Sequence, residues 1–139
     1  MNWSNRYVGL PWAEHGRECA GCDCWGLACI VYRDELGITL PEYLGYATVA
    51  ELAEIAALVA GATASRLWVR QEAARPFDIA VFRRGRLDAH IGIVLQPGLM
   101  LHMVEGAQAS IESYEAGRWK HRLTGLYRHA LVVSGWYAK

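Results

Sequence analysis

The sequence predicts a single α+β domain in which N-terminal helices pack on an antiparallel β-sheet. Apolar residues recur at helical spacing in the first half of the chain, and from Pro76 onward they form short β-type runs separated by turns. Helices followed by hairpin-linked strands are typical of α+β proteins. A chain of 139 residues is long enough for one domain, residues 1–139, with its own core.

The composition excludes several classes of partner. Fourteen basic and fourteen acidic residues cancel, so nothing favours nucleic acid or an anionic membrane surface. No apolar run approaches the roughly 18 residues that span a bilayer, so we expect no membrane insertion. The segment Met1–Arg6 lacks the apolar core of a signal peptide. We therefore expect synthesis in the cytoplasm, and any work outside the cell would need another delivery route.

The N-terminal elements are short. Residues Asn2–Val8 are amphipathic and aromatic, which predicts a short helix, and the following segment Gly9–Trp12 breaks it. Residues Ala13–Gly21 are rich in glycine and charge, which predicts a loop.

The second predicted helix carries a cysteine at its start. Apolar residues downstream of Cys24 recur at helical spacing to about Leu36, and Gly37 is positioned as the C-cap. Asp23 suits the N-cap, so the sulfur of Cys24 is expected near the positive end of the helix dipole. That placement lowers the pKa of a thiol and favours the nucleophilic thiolate. The alternative is that Cys24 is a small buried apolar residue.

The remaining elements follow from spacing and turn residues. Thr48 and Glu51 match a capping box, which predicts a third helix ending near Gly61. Residues 68–72 fit either an extension of the helical part or a segment beside it. The predicted strands are Phe77–Phe82, Ile91–Leu95, Met100–Val104 and Ser110–Tyr114, with a last pair near Lys120–Leu123 and Leu126–Val133.

The four cysteines, Cys19, Cys22, Cys24 and Cys29, lie within eleven positions. A disulfide framework would instead join distant parts of the chain. Three of them, Cys19, Cys22 and Cys24, admit a zinc site together with His15. Structural zinc sites usually bring a second ligand pair, and the chain has no second CxxC motif. We therefore expect no metal and no other cofactor.

Two of the five histidines stand in apolar strands. The predicted hairpin with its turn at residues 96–99 places position 90 roughly opposite positions 103 to 105. The imidazoles of His90 and His102 are thus expected to be neighbours on one face, where one can hold the tautomer and orientation of the other. The alternative is that each histidine only supports the core. The other three, His15, His121 and His129, are expected in solvent or at the sheet surface.

Several segments, in order along the chain, resemble the signature of the NlpC family of cell-wall cysteine peptidases. They are Gly9–Trp12, Gly21–Leu27, Phe77–Phe82, His90–Val94 and Leu101–His102. Trp25 and the ending Trp119–Arg128 most resemble the branch that tailed phages and prophages encode beside their tail genes. The resemblance implies a reduced papain-like fold, in which the nucleophile opens a helix that packs on an antiparallel sheet.

The resemblance also implies roles for individual residues. Cys24 is the implied nucleophile, His90 the general base and acid, and His102 the third member that orients His90. The family typically cleaves the stem peptide of peptidoglycan, often between D-glutamate and the diamino acid, through an acyl-enzyme and without a metal. We therefore predict a peptidoglycan hydrolase acting at the bacterial cell wall as part of a phage or prophage tail, with tail-tip proteins as further partners.

Three positions depart from the family pattern. Trp12 stands where many relatives carry a tyrosine, Trp25 where a serine often follows the nucleophile, and Phe77 where a glycine usually stands. The predicted substrate-binding residues are Trp12, Trp25 and Asp23, whereas Asp78 is expected to cap a turn. Two alternatives belong to other functional classes: a tail-assembly component that keeps the fold but works by binding, and a papain-like acyltransferase or amidase with another substrate.

Overall fold

The computed structural model describes residues 3–13, 16–41, 60–61, 66–104 and 106–133. In these segments no helix is long and apolar enough to cross a bilayer. The elements in chain order are a 3-10 helix (Trp3–Arg6), β1 (Arg17–Glu18), β2 (Gly21–Cys22), α1 (Cys24–Val31), a π-helical turn (Tyr32–Leu36), β3 (Trp68–Gln71), β4 (Ile79–Arg84), β5 (Leu87–Gln96), β6 (Leu99–His102), β7 (Ser110–Ser113), a 3-10 helix (Gly117–Trp119), β8 (Leu123–His129) and α2 (Ala130–Val133).

Helix α1 begins at the residue that the sequence predicts, and the helical path that it starts ends at the predicted residue. Asp23 is extended, and its side chain accepts a hydrogen bond of 2.7 Å from the N–H of Gly26, which makes it the N-cap. The helical path continues from α1 through the wider π-helical turn. It ends at Gly37, whose φ of 67° lies in the left-handed region that glycine adopts without strain. The predicted helix from Cys24 to Leu36 is confirmed.

Six antiparallel strands form the main sheet, in the order β3-β8-β4-β5-β6-β7. The hairpins β4–β5 and β5–β6 turn at Gly85 and Gly98, both of which have positive φ values. The edge strand β3 pairs with β8, far from it in sequence. The predicted α+β architecture with an antiparallel sheet is confirmed.

The two faces of the sheet are covered differently. One face packs with α1 in a cluster, here the helix-side core, that includes Ile79, Val81, Ile91, Ile93 and Leu101. The other face carries a separate cluster, here the outer cluster, formed by Ala80, Phe82, Val94, Met100, Tyr114, Trp119 and Leu126. Successive side chains in a strand point to opposite faces, and the register fits this division because Val81 pairs with Ile91 and Phe82 pairs with His90.

The C-terminal part differs from the prediction. The sequence predicts two strands near Lys120–Leu123 and Leu126–Val133, whereas the structure has one strand, β8, followed directly by helix α2. Residues 120–122 form a turn in which His121 has a φ of 71°, a conformation that a strand does not adopt. The prediction of a strand pair at this end is therefore wrong.

Other elements differ from or complete the predictions. The N-terminal helix is a 3-10 turn limited to Trp3–Arg6, and the predicted loop Ala13–Gly21 contains most of the small β1–β2 hairpin. The residues at 68–71 form strand β3 and not a helical segment, because their pairing with β8 overrides any local preference. Of the third predicted helix only residues 60–61 are described, and they are helical. Its start at Thr48 lies outside the described residues.

A buried ion pair joins β8 to the turn before β4. The carboxylate of Asp78 is fully buried and accepts hydrogen bonds from Nε and Nη2 of Arg128, at 2.7 and 2.8 Å. It also accepts a hydrogen bond of 2.9 Å from the backbone N–H of Arg75. Asp78 therefore caps a turn, as predicted, and its charge is compensated inside the protein.

We expect the substitution Asp78→Asn to lower the free energy of unfolding by about 3 kcal/mol, because it leaves the largely buried Arg128 without its counter-charge. Urea unfolding followed by tryptophan fluorescence measures the change. The matched control is Asp34→Asn, whose partner Arg33 is 52% exposed; exposed pairs contribute less than about 1 kcal/mol. Equal small losses in both variants would contradict a stabilising role for the buried pair.

Candidate active site

Cys24 occupies the first position of α1, directly after its N-cap. The carboxylate of Asp23 accepts a hydrogen bond of 2.8 Å from Nη1 of Arg17 in addition to the one from Gly26. Both members of this ion pair are buried, so the negative charge at the cap is compensated locally. The side chain of Cys24 is 8% exposed and packs in the helix-side core. The thiol thus lies at a helix N-terminus, where the dipole favours negative charge.

The two tryptophans near Cys24 have different surroundings. Trp25 is 2% exposed, and its indole N–H donates a hydrogen bond of 2.8 Å to the carbonyl oxygen of Pro41. Trp12 is partly exposed, packs against the helix-side core and forms a β-bridge with Cys22. Trp25 therefore supports the core, and Trp12 retains an accessible surface. Substrate binding by Trp12, Trp25 and Asp23 stays a prediction.

His90 and His102 are neighbours, as predicted. Nε2 of His90 lies 2.8 Å from Nδ1 of His102, and the two rings meet edge to face. Both side chains are buried, with residue exposures of 3% and 1%. The strand register explains this contact. Gly92 pairs directly with His102, and His90 lies two residues before Gly92 on the same face of β5, so its ring is next to that of His102.

Trp119 covers the two imidazoles. Its ring stacks on His90 with centroids 4.5 Å apart and an interplanar angle of 14°, and it meets the ring of His102 edge-on. The guanidinium groups of Arg118 and Arg122 lie over the indole, 5.3 and 5.6 Å from its centroid. The sequence did not reveal this cover, because the 3-10 helix that carries Trp119 is remote in sequence from β5 and β6.

A carboxylate extends the histidine pair. Nε2 of His102 lies 2.9 Å from Oε1 of Glu112 on β7. Arg118 donates from Nη2 to Oε1 and from Nε to Oε2 of the same carboxylate, at 3.1 and 3.2 Å. Sequence reasoning missed Glu112. The available signal was its place in the strand after β6, two residues after Ser110, which pairs with His102.

Burial sets the charge state of this network. It holds the pKa of His90 well below its ordinary value, and repulsion from His102, Arg84 and Arg118 adds to the effect. Burial also lowers the pKa of His102, against the opposing attraction of Glu112. For Glu112 burial disfavours the charge, but hydrogen bonding from Arg118 and attraction from neighbouring groups prevail and lower its pKa. At neutral pH the network therefore consists of neutral imidazoles and an ionised carboxylate.

The thiol and the imidazole pair lie in adjacent packing layers. Cys24 belongs to the helix-side core together with Ala89, the residue before His90. His90 instead contacts Phe82 and Trp119 of the outer cluster. Neighbouring residues in a strand face opposite sides, so the side chain of His90 projects from the other face of the sheet. The structure brings His90 and His102 together and places Cys24 in the neighbouring layer.

Cys24 and the histidines nevertheless belong to the same end of the sheet. The chain that leaves β6 after His102 runs beside the N-terminal segment, where the N–H of Trp12 donates to the carbonyl oxygen of Ala107 at 3.2 Å. Trp12 in turn is bridged to Cys22, two residues before Cys24. These backbone contacts link the segment just before Cys24 to the chain that follows His102.

The other cysteines have distinct environments, and no disulfide joins the four. Cys22 is fully buried, and burial raises the pKa of its thiol to about 12. Cys19 is exposed and Cys29 is partly exposed. Among the described residues no group of three His, Cys, Asp or Glu side chains is arranged to hold a metal. His15, the fourth ligand of the zinc alternative, lies outside them.

His129 corrects one expectation. Predicted in solvent or at the sheet surface, it is buried, and its ring meets Trp68 edge-on at 5.0 Å. Its Nδ1 accepts a hydrogen bond of 3.1 Å from the N–H of Leu131 at the start of α2, and burial lowers its pKa. This side chain therefore supports the core, whereas His121 is exposed in its turn, as expected.

Comparison with known proteins identifies a family. The sequence model described as the NlpC/P60 family matches residues 9–128, whereas no curated protein matches. Among solved structures the chain is similar to the NlpC/p60 domain of the peptidoglycan hydrolase SagA, with a TM-score of 0.62 and 17% identity over 90% of this chain and 92% of that one.

Two longer proteins have a similar domain. An NlpC/P60 family protein from Bacillus cereus ATCC 10987 has a TM-score of 0.64 and 19% identity, over 91% of this chain and 37% of that one. A lipoprotein-like NLP/P60 family protein from Staphylococcus aureus subsp. aureus Mu50 has a TM-score of 0.61 and 24% identity, over 90% of this chain and 38% of that one. The chain thus spans little more than a third of either protein, and at these identities the likeness shows a shared fold.

In the folded protein we expect iodoacetamide to alkylate Cys19 much faster than Cys22. At pH 8 a thiol with a pKa of about 12 is about one part in 10⁴ thiolate, and only the thiolate reacts. Peptide mapping by mass spectrometry after timed labelling measures each site, and a sample unfolded in guanidinium chloride is the control. Labelling of Cys22 at the rate of the exposed Cys19 in the folded protein would contradict its burial.

Proposed function

The chain belongs to the NlpC/P60 family, and from this membership we propose that it is a cysteine peptidase that hydrolyses an amide bond in peptidoglycan stem peptides. The observation that most supports the proposal is the hydrogen bond of 2.8 Å between His90 and His102. It provides an oriented imidazole at the end of the sheet where α1 begins with Cys24. A thiol at a helix start and an oriented imidazole are the groups that covalent acyl transfer requires.

In the proposed reaction the thiolate of Cys24 attacks the carbonyl carbon of the scissile amide. His90 takes the thiol proton and gives it to the departing amine as the C–N bond breaks, which leaves a thioester on Cys24. His90 then takes a proton from water, the hydroxide adds to the thioester, and the carboxylic acid leaves as the thiol is restored. The backbone N–H of Cys24 is the proposed donor to the oxyanion of each tetrahedral intermediate.

The proposal fixes which ring nitrogen of His90 acts. Nε2 is engaged by His102, so Nδ1 is the nitrogen that receives the proton from Cys24. The two groups lie in adjacent layers at one end of the sheet, and catalytic hydrogen bonds often close only when substrate is bound. We therefore propose that Nδ1 of His90 lies close enough to Sγ of Cys24 in the free protein to influence the thiol, and that substrate binding shortens their separation to a hydrogen bond.

The substrate and setting are proposed from the family resemblance. The scissile bond is the one between D-glutamate and the diamino acid, and the protein acts at the bacterial cell wall as part of a phage or prophage tail. The partly exposed Trp12 beside Cys22 supports a binding surface near the nucleophile. Trp25 and the segment Trp119–Arg128 are the features that favour the tail-associated branch.

The second candidate is a tail component that keeps the fold but works by binding. The observation that favours it is the burial of both imidazoles beneath Trp119, in a layer adjacent to that of Cys24. In that case the histidine network serves only to stabilise the outer cluster.

Digestion of purified peptidoglycan under reducing conditions, with muropeptides analysed by mass spectrometry, tests the enzymatic proposal. We expect the wild-type protein to cut stem peptides, Cys24→Ala to abolish cutting, and His90→Ala to lower the rate by about 10² to 10⁴, the usual contribution of a general base. His102→Ala is expected to cost less and to shift the pH profile. Cys19→Ser is the matched control and should retain full activity.

The outcomes separate the candidates. If wild-type protein and Cys24→Ala leave stem peptides equally intact, while particles that carry either protein assemble and infect equally well, the binding role is correct and the peptidase is rejected. If an added amine replaces water in the product, with the same dependence on Cys24, the protein is an acyltransferase.

A further inference from the structure

We propose that Glu112 is a positioning residue, which fixes the tautomers of both imidazoles and so leaves Nδ1 of His90 unprotonated and ready to act as a base. The inference deepens the proposed function, on which its catalytic meaning rests, because it adds a member to the same site. The family resemblance did not assign any role to this glutamate.

The geometry forms a continuous chain of four side chains. Arg118 holds both carboxylate oxygens of Glu112, and Oε1 of Glu112 lies 2.9 Å from Nε2 of His102. Nδ1 of His102 then lies 2.8 Å from Nε2 of His90. The glutamate side chain is 29% exposed, whereas that of His102 is fully buried. The carboxylate is thus held at the edge of the site, and the imidazoles that it reaches are inside.

The hydrogen bonds fix the position of each proton, one ring after the other, starting from Glu112. An ionised carboxylate only accepts hydrogen bonds, so Nε2 of His102 must carry the proton. A neutral His102 then has a lone pair on Nδ1, so Nε2 of His90 must donate to it. A neutral His90 consequently has its lone pair on Nδ1, the nitrogen that the proposed reaction requires. The carboxylate sets the tautomer of a ring that it does not touch.

The groups around His90 oppose its protonation, so a negative charge that stabilises the protonated ring matters. His102 on β6, Arg84 on β4 and Arg118 in the 3-10 helix all disfavour a proton on His90. Glu112 is the acidic group that acts on His102, where it favours the protonated form. When His90 accepts the thiol proton, the negative charge of Glu112 stabilises the resulting imidazolium through His102.

The substitution Glu112→Gln keeps the shape and removes the acceptor-only character. The amide can turn its NH2 toward Nε2 of His102 and its oxygen toward Arg118, which moves the proton of His102 to Nδ1 and that of His90 to Nδ1. Nδ1 of His90 would then no longer be a base. An aspartate at this position keeps the charge and should rescue part of the effect. Glu115→Gln, a nearby exposed glutamate, is the matched control.

The first experiment measures tautomers directly and does not depend on activity. Long-range proton–nitrogen correlation spectra of ¹⁵N-histidine-labelled protein at pH 7 distinguish protonated from unprotonated ring nitrogens. We expect the proton of both His90 and His102 on Nε2 in the wild-type protein and in Glu115→Gln, and on Nδ1 in a large fraction of Glu112→Gln. Wild-type spectra with a proton on Nδ1 of either ring, or spectra unchanged by Glu112→Gln, would overturn the inference.

The second experiment measures kcat and KM against pH on a muropeptide substrate. We expect Glu112→Gln to lower kcat by about 10- to 100-fold, since a wrong tautomer removes the base, with KM nearly unchanged and the acid limb of the kcat profile moved to lower pH. Glu112→Asp should recover part of kcat. An active wild-type enzyme with an unaffected Glu112→Gln variant overturns the inference alone. Inactive wild-type protein with the expected spectra overturns the proposed function alone.

Discussion

The hydrogen bond of 2.8 Å between two buried imidazoles is the interaction on which the site depends. A buried neutral imidazole has one donor and one acceptor nitrogen, and both nitrogens of His102 have partners here; leaving either unsatisfied would cost about 1–3 kcal/mol. The β5–β6 register supplies the first partner by pairing Gly92 with His102. Glycine suits that position because a Cβ there would lie 2.4 Å from the sulfur of Met100. Glu112 supplies the next partner, and Trp119 stacks on the ring of His90.

The sheet divides the chemistry between two layers. On the helix side, α1 presents Cys24 behind a cap whose charge is compensated by Arg17. On the outer side, the imidazoles are fixed by β7 and the 3-10 helix at 117–119. Cys24 and the two imidazoles are thus positioned by separate sets of contacts, which lie at the same end of the sheet. In this arrangement burial orients His90, the proposed base, while the carboxylate of Glu112, two side chains away, is proposed to set which of its nitrogens reacts.

Local patterns in the sequence predicted the parts of the structure that local forces determine. The N-cap Asp23, the helix start at Cys24, the C-cap Gly37 and the contact between His90 and His102 all depend on neighbours in sequence or on one hairpin. Features that depend on distant pairing were not predictable in this way: the β3 strand, the burial of His129, the cover by Trp119 and the role of Glu112. Phe77 shows both aspects. Its φ of 74° lies in the region that favours glycine, which fits the family pattern of a glycine at this position. Its stacking on Trp3, with ring centroids 4.5 Å apart, is visible only in the fold.

His90 is the proposed base for Cys24, and the pH dependence of Cys24 alkylation reports on this role. Rates measured by peptide mass spectrometry separate Cys24 from the other cysteines, so the wild-type protein and His90→Ala can be compared at one residue. We expect wild-type Cys24 to react readily at and below neutral pH, whereas Cys24 in His90→Ala should need a higher pH, because only the helix dipole then favours the thiolate. Identical pH profiles in the two proteins would show that the Cys24 thiol does not sense His90, and His90 would then not be its base.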